Sequence, residues 1–199
     1  LKAPSGHYGM DQFSKTGKTD ALKADMEACA ILGGEYFTIA GAHVDMNKGI
    51  DGFKKVANDF NQVATIAKSA GLKFAYHNHD FEFKKLRNTT GYDVYLKETD
   101  KNLVNFEMDL YWVVRSGNDP MRLFKTYPGR IPMWHVKDMD KANPTINTEV
   151  GSGSIDFKKI YKEAKLAGLV HLIVEQENFS MDPYKSIKQS FDYVNREVI

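Results

Sequence analysis

The sequence predicts an α/β protein built on parallel strands. Two observations carry this. Strand-length apolar runs, rich in β-branched and aromatic residues, alternate six times with amphipathic stretches of helical period. No hairpin signal separates successive runs, so helical crossovers must join them, and such crossovers accompany parallel pairing. A third observation locates the chemistry: histidines and carboxylates gather just after the apolar runs, the end of the strands where parallel α/β folds bind ligands.

Taken in order, the runs are residues 1–5, 36–40, 72–76, 103–108, 131–136 and 172–174. Between the first two, residues 20–32 carry Leu22, Met26, Cys29 and Ala30 on one face and stop at Gly33 and Gly34. Residues 51–70 place Phe53, Val56, Ala57, Phe60, Val63, Ala64 and Ala67 at spacings of three and four, ending at Gly71. Shorter helices fit 92–99 and 119–126. Residues 156–167 repeat the scheme with Phe157, Ile160, Tyr161 and Ala164, ending at Gly168. Met181, Asp182 and Pro183 open a last helix that is expected to turn Ile187, Phe191 and Val194 inward. The longest polar, glycine-containing loop spans 143–153. Its place between a strand and a helix suits an active-site loop.

Composition narrows the function classes. With 42% apolar and 27% charged residues and a net charge of +1, the 199-residue chain has a globular rather than a disordered balance. No apolar run approaches the ~18 residues of a membrane helix. Twenty-seven basic residues against 26 acidic ones offer no field for gripping a polyanion, so neither nucleic acid nor membrane is an expected partner. Cys29 is the single cysteine, which excludes an intrachain disulfide and a multi-cysteine metal site. The chain opens without Met and without a signal-type segment. We expect the gene product to begin upstream, which leaves a cytoplasmic or periplasmic location open.

The polar residues at the run ends form a consistent set. His7 follows the first run; His77, Asn78, His79 and Asp80 follow the third, with Glu82 just beyond. Asp109 closes the fourth after Glu107, His135 closes the fifth before Lys137 and Asp138, and Glu175 closes the sixth before Glu177. His171 begins its strand and reads as structural; His43 is ambiguous. Nitrogen and oxygen donors converging from separate strand ends suit a divalent cation, and the lack of thiolate fits an open catalytic site better than a closed structural one. Such an ion would bind adjacent oxygens of a hydroxy-ketone and stabilise the enediolate left when a neighbouring proton departs. Each residue also has a plainer role: Asp109 as a helix cap, Glu107 as a buried structural partner, Lys137 and Asp138 as a surface pair, Glu177 as a solvated carboxylate, and residues 111–113 as a covering loop.

The runs Tyr76-His77-Asn78-His79-Asp80-Phe81-Glu82-Phe83, Phe106-Glu107-Met108-Asp109-Leu110-Tyr111-Trp112, His135-Val136-Lys137-Asp138 and Ile173-Val174-Glu175-Gln176-Glu177 resemble the sugar phosphate isomerase/epimerase family of the xylose isomerase-like barrels. Gly151-Ser152-Gly153-Ser154-Ile155-Asp156-Phe157 and Ser5-Gly6-His7-Tyr8-Gly9 extend the likeness over nearly the whole chain. The resemblance implies a TIM (β/α)8-type barrel and a single domain over residues 1–199. Its first strand matches the family's third, so the first two βα units are expected to be missing. Six units in 199 residues is about 33 each, so eight would take about 265, near the usual size of such barrels. Either a longer protein or a partner chain would then cover the open edge.

The resemblance further implies a metal site of Asp109, His135 and Glu175, with His77 where family members carry a glutamate, and Glu82 as the second choice for that place. A histidine there departs from the two-glutamate pattern of the family's epimerases. The leading expectation is a sugar isomerase or epimerase using Mn, Mg, Co or Zn through a metal-bound enediolate. Its catalytic residues would be Glu175, His77 and Lys137, and its substrate-binding residues His7, His79, Glu82, Trp112 and Lys137. The runner-up is a dehydratase or lyase of a keto-sugar or inosose on the same site, since the family's inosose dehydratases share a histidine-rich end to this strand. A non-catalytic sugar-binding protein is a further alternative. A nuclease of the same superfamily is disfavoured by the balanced charge and by only six histidines. The expected partner is a small carbohydrate, preferably non-phosphorylated because no basic cluster marks a phosphate site, and a homo-oligomer is left open.

Overall fold

A computed structural model describes residues 2–199. The chain divides into two compact units, one ending at Glu107 and the other starting at Met108. The first contains β1 (Ser5–Tyr8), α1 (Asp11–Thr16), α2 (Asp20–Ile31), β2 (Tyr36–Ile39), α3 (Ile50–Ser69), β3 (Lys73–His77), the short β4 (Lys85–Leu86) and β5 (Thr89–Thr90), α4 (Gly91–Glu98) and β6 (Val104–Asp109), whose last two residues enter the second unit. β1, β2, β3 and β6 pair in that order and all in parallel. The registers set Gly6 beside Phe37, Phe37 beside Phe74, and His77 beside Glu107.

Helix α3 covers this sheet with the face its sequence predicts: Phe53, Val56, Ala57, Phe60, Val63, Ala64 and Ala67 are all buried. Phe60 sits at the centre, its ring 4.6 Å from Tyr76, 5.0 Å from Tyr95 and 5.6 Å from Phe74. A buried side chain of this size contributes roughly 1.5–3 kcal/mol, so this layer holds the β3 end firmly. Gly91 lets α4 approach it, because a Cβ there would meet the Phe53 ring.

The second unit holds α5 (Leu110–Arg115), α6 (Pro120–Thr126), β7 (Met133–Val136), β8 (Asp138–Met139), β9 (Asn147–Thr148), α7 (Phe157–Tyr161), α8 (Ala164–Ala167), β10 (His171–Val174) and α9 (Pro183–Tyr193), continued by a π-helical turn over Val194–Val198. β7 and β10 are parallel, with Ile173 beside His135 and Val174 beside Val136. The loop after β7 is shaped by Asp138. Its buried carboxylate accepts from the backbone N–H of Met139, Gly151, Gly153 and Ile155 at 2.8–3.1 Å. Gly153 has to be glycine here, because a Cβ would collide with that carboxylate.

Five readings of the sequence need correction. The first strand is Ser5–Tyr8 rather than 1–5 (Leu1 itself lies outside the described residues), so His7 stands within the strand. Polar cross-strand bonds replace the apolar pattern there, Ser5 and Thr38 hydroxyls meeting at 2.7 Å. The helix expected over 156–167 is two short helices, α7 and α8. Residues 111–113, for which a covering loop was the plainer alternative, lie in helix α5, which Asp109 caps. In α9, Ile187 and Phe191 are 49% and 61% exposed; of the three residues expected inside, only Val194, in the turn that follows, is buried. The inward face carries Ser186 and Ser190 instead; the Ser190 hydroxyl accepts from Val150 N–H at 3.0 Å, and that polar anchor sets the helix's roll. Two small antiparallel ribbons, β4–β5 and β8–β9, lie inside loops after strands where no hairpin was expected. Among the described residues, no helix is long and apolar enough to cross a membrane.

Candidate active site

Two groups of histidine and carboxylate stand at the carboxyl ends of the strands, one in each unit. In the first, Glu107 of β6 is fully buried. Its Oε1 lies 2.5 Å from His7 Nε2 of β1 and 3.2 Å from His77 Nδ1 of β3, and its Oε2 accepts a long 3.5 Å contact from Ser5 Oγ. The two imidazole rings lie 4.8 Å apart. His79 sits edge-on to His77, with centroids 5.1 Å apart. The ligating atoms of His7, His77 and Glu107 lie within 4.8 Å of one another.

Glu82 stands behind these residues. Its carboxylate accepts from Tyr76 Oη at 2.6 Å, and both its oxygens accept from His79 N–H at 3.1 Å. Burial pushes the carboxyl up to about 7, although the Tyr76 hydroxyl and the His79 N–H favour its ionised form. A fully buried side chain with these partners ties the His77–His79 turn to the core. It does not stand open to a substrate.

In the second unit, Asp109 ends β6 and starts α5. Its Oδ1 accepts from Tyr111 N–H at 2.8 Å and Trp112 N–H at 3.2 Å, so the helix-cap reading of this residue holds. His135 of β7 pairs through Nδ1 with Glu175 Oε2, just past β10. The ligating atoms of Asp109, His135 and Glu175 lie within 4.8 Å of one another. Burial pushes the Asp109 carboxyl up to about 7, against the pull of Lys137 and His135. A buried carboxylate that is costly to ionise, beside an imidazole and a second carboxylate, is a donor set that a divalent cation would relieve. The residues therefore fit an ion.

Lys137 is buried to 1% exposure, not at the surface. Its ammonium reaches Glu177 Oε2 at 2.6 Å and Glu175 Oε1 at 3.4 Å, and lies 5.2 Å from the Tyr111 and Trp112 ring centres. Burial by itself would lower its affinity for a proton. The Glu177 bond and the charges of Glu175 and Asp109 outweigh that and raise it. Glu177 is thus a partner of Lys137 and not merely solvated. Asp138 is buried too, but its partners are loop N–H groups, so the plainer alternative of a surface pair does not hold for the two residues.

A sequence model of the xylose isomerase-like TIM barrel matches residues 3–197. The chain belongs to this family. Within the xylose isomerase-like barrels, it is 27% identical over 164 residues to an inosose dehydratase of Clostridium botulinum, a match covering 71% of this chain and 53% of that protein. The chain thus spans about half the length of the curated relatives it matches. A crystal structure of a sugar phosphate isomerase/epimerase from Parabacteroides distasonis superposes on 99% of this chain and 71% of its own, with a TM-score of 0.86 and 26% identity. An IolI protein with a bound zinc atom superposes on 98% of this chain and 76% of its own, with a TM-score of 0.74; at 17% identity this likeness is one of fold.

Placed on this barrel family, the expected residues divide between the units. His7, His77, His79 and Glu82 stand in the first; Asp109, Trp112, His135, Lys137 and Glu175 stand in the second. Sequence reasoning gave Glu107 only a structural role. Its position two residues before Asp109, on the same face of one strand, was the available signal. His43 lines a separate cleft of about 180 Å³ with Asp11, Ser14 and Lys55.

Proposed function

We propose that this chain carries the metal-dependent site of an enzyme that removes a proton beside the carbonyl of a keto-sugar or keto-cyclitol. The observation that carries this reading is the close group of Asp109, His135 and Glu175 with the buried Lys137 ammonium against Glu175. Asp109, His135 and Glu175 would hold a divalent ion, with His77 as the fourth ligand that the sequence leads us to expect. When bound, the ion would supply Lewis-acid stabilisation to the oxygens of the hydroxy-ketone. Glu175 would take the proton from carbon. Lys137, kept charged by its carboxylate neighbours, would hold or protonate a substrate oxygen. Tyr111 and Trp112 flank that ammonium and would give the sugar an apolar wall.

One carboxylate base and one ammonium acid suit loss of water after proton removal. The relatedness to inosose dehydratases supports that outcome. The likeness to a sugar phosphate isomerase/epimerase supports a second reading, in which the proton returns to carbon and the product is an isomer or epimer. The test uses purified chain loaded with Mn or Zn and an inosose or a ketose in deuterated water, followed by NMR. We expect deuterium incorporation with formation of an unsaturated product. Deuterium exchange without loss of water would select the isomerase reading. Absence of exchange, together with absence of bound divalent ion by elemental analysis, would defeat both.

A further inference from the structure

We infer that Glu107 is a positioning residue that sets the tautomers of His77 and His7, leaving Nε2 of His77 and Nδ1 of His7 as the acceptor atoms. All three residues belong to the first unit. A carboxylate accepts hydrogen bonds and donates none. One of its oxygens lies within hydrogen-bond distance of His77 Nδ1 (3.2 Å) and of His7 Nε2 (2.5 Å), so each of those nitrogens carries its proton. In a neutral imidazole the opposite nitrogen then keeps the lone pair.

For His77 this is the less common tautomer of a free imidazole, so the structure has to enforce it. Two features do so. The His77–Glu107 register places the residues side by side on paired strands. Both side chains are buried, at 4% and 0% exposure, so water does not compete for either group. Ser5 Oγ on the other carboxylate oxygen, itself bonded to Thr38, keeps the carboxylate oriented.

The consequence for chemistry differs between the two rings. A lone pair on His77 Nε2 is what a metal ligand requires, and a carboxylate behind a ligating histidine orients the ring and raises its basicity. His7, 40% exposed along its side chain, would present Nδ1 as an acceptor for a substrate hydroxyl. The metal arm of this inference rests on the reading proposed above; the tautomer arm does not.

The experiment is long-range proton–nitrogen NMR on the 15N-labelled full chain at about pH 8, above the pKa of a free imidazole. We expect His77 protonated at Nδ1 and His7 at Nε2. Glu107→Met, which removes the acceptor at similar size, should return His77 to the Nε2-protonated form and weaken Zn binding about 10- to 100-fold in a chelator competition. Glu107→Gln, which keeps a carbonyl acceptor, should restore the wild-type tautomer of His77 and most of the affinity. Wild-type His77 protonated at Nε2 overturns the inference, and this outcome does not depend on whether the Met variant folds. Zinc that shifts His77 Nδ1 and His7 Nε2 directly also overturns it, because the three residues would then be ligands themselves. Wild-type protein that takes up no ion defeats the metal reading, while the tautomers still decide the role of Glu107.

Discussion

The two carboxylate–histidine groups are made of the same residue types and do opposite things with them. In the first unit Glu107 is wholly inside and meets two imidazoles, with Glu82 and Tyr76 locking the turn behind. In the second unit Glu175 keeps 27% of its side chain exposed and meets one imidazole and one ammonium, which Glu177, 57% exposed, also reaches. A closed arrangement holds rings still. A half-open one with a fixed positive charge has acceptors and a donor to offer a ligand. The difference teaches that burial of the carboxylate, more than the presence of a His–Glu pair, decides whether the group is closed off or left accessible to a ligand.

The largest expected effect would break the comparison on the second side. Asp109→Ala should remove the bound ion and lower turnover roughly 1,000-fold, about 4 kcal/mol, while the histidine resonances of His7 remain in place. Metal analysis beside steady-state kinetics reads both. Unchanged metal content would move the ion away from Asp109.

Next comes a test of the closed side through pH. The Glu82 carboxyl is raised from 4.5 to about 7 by burial, so the folded state binds its proton more tightly than the unfolded chain does. Its stabilising contribution is present below about pH 4.5 and is lost as pH rises through about 7. The change amounts to about 3 kcal/mol. Urea titrations at the two ends of that window should show this loss in the wild type and not in Glu82→Gln. Equal pH dependence in both proteins would mean that the Glu82 carboxyl has the same proton affinity in the fold as in the unfolded chain.

Lys137→Met should lower turnover about 100-fold, in the range of acid–base groups, with the metal retained. If KM rises and kcat holds, Lys137 binds substrate and moves no proton. The smallest effect is expected at the α9 surface: Phe191→Ser should change stability by no more than about 0.5 kcal/mol, because the ring is 61% exposed. A larger loss on thermal denaturation would show that this face is covered in solution.

Much of the fold was legible because its signals are local. The apolar spacing of α3, the glycine stops after α2 and α3, and the strand ends at His77, Asp109 and Val136 all follow from periods of 3.6 and 2. The same reading failed at β1, where His7 is a strand residue with a partner 100 positions away. It failed at α9, where Ser190 turns inward through a bond to Val150, 40 residues earlier.

By itself, then, the sequence determined which residues reach the carboxyl ends of the strands, because side-chain direction and element length are written in short-range pattern. Only the tertiary structure decided what those residues do to one another. It joined Glu107 to two histidines and buried Lys137 against carboxylates. It closed Glu82 into the core and wrapped a glycine loop on Asp138. The physical reason is distance: desolvation and hydrogen-bond competition act between groups tens of residues apart, and a one-dimensional pattern carries no record of which of them the packed chain brings together.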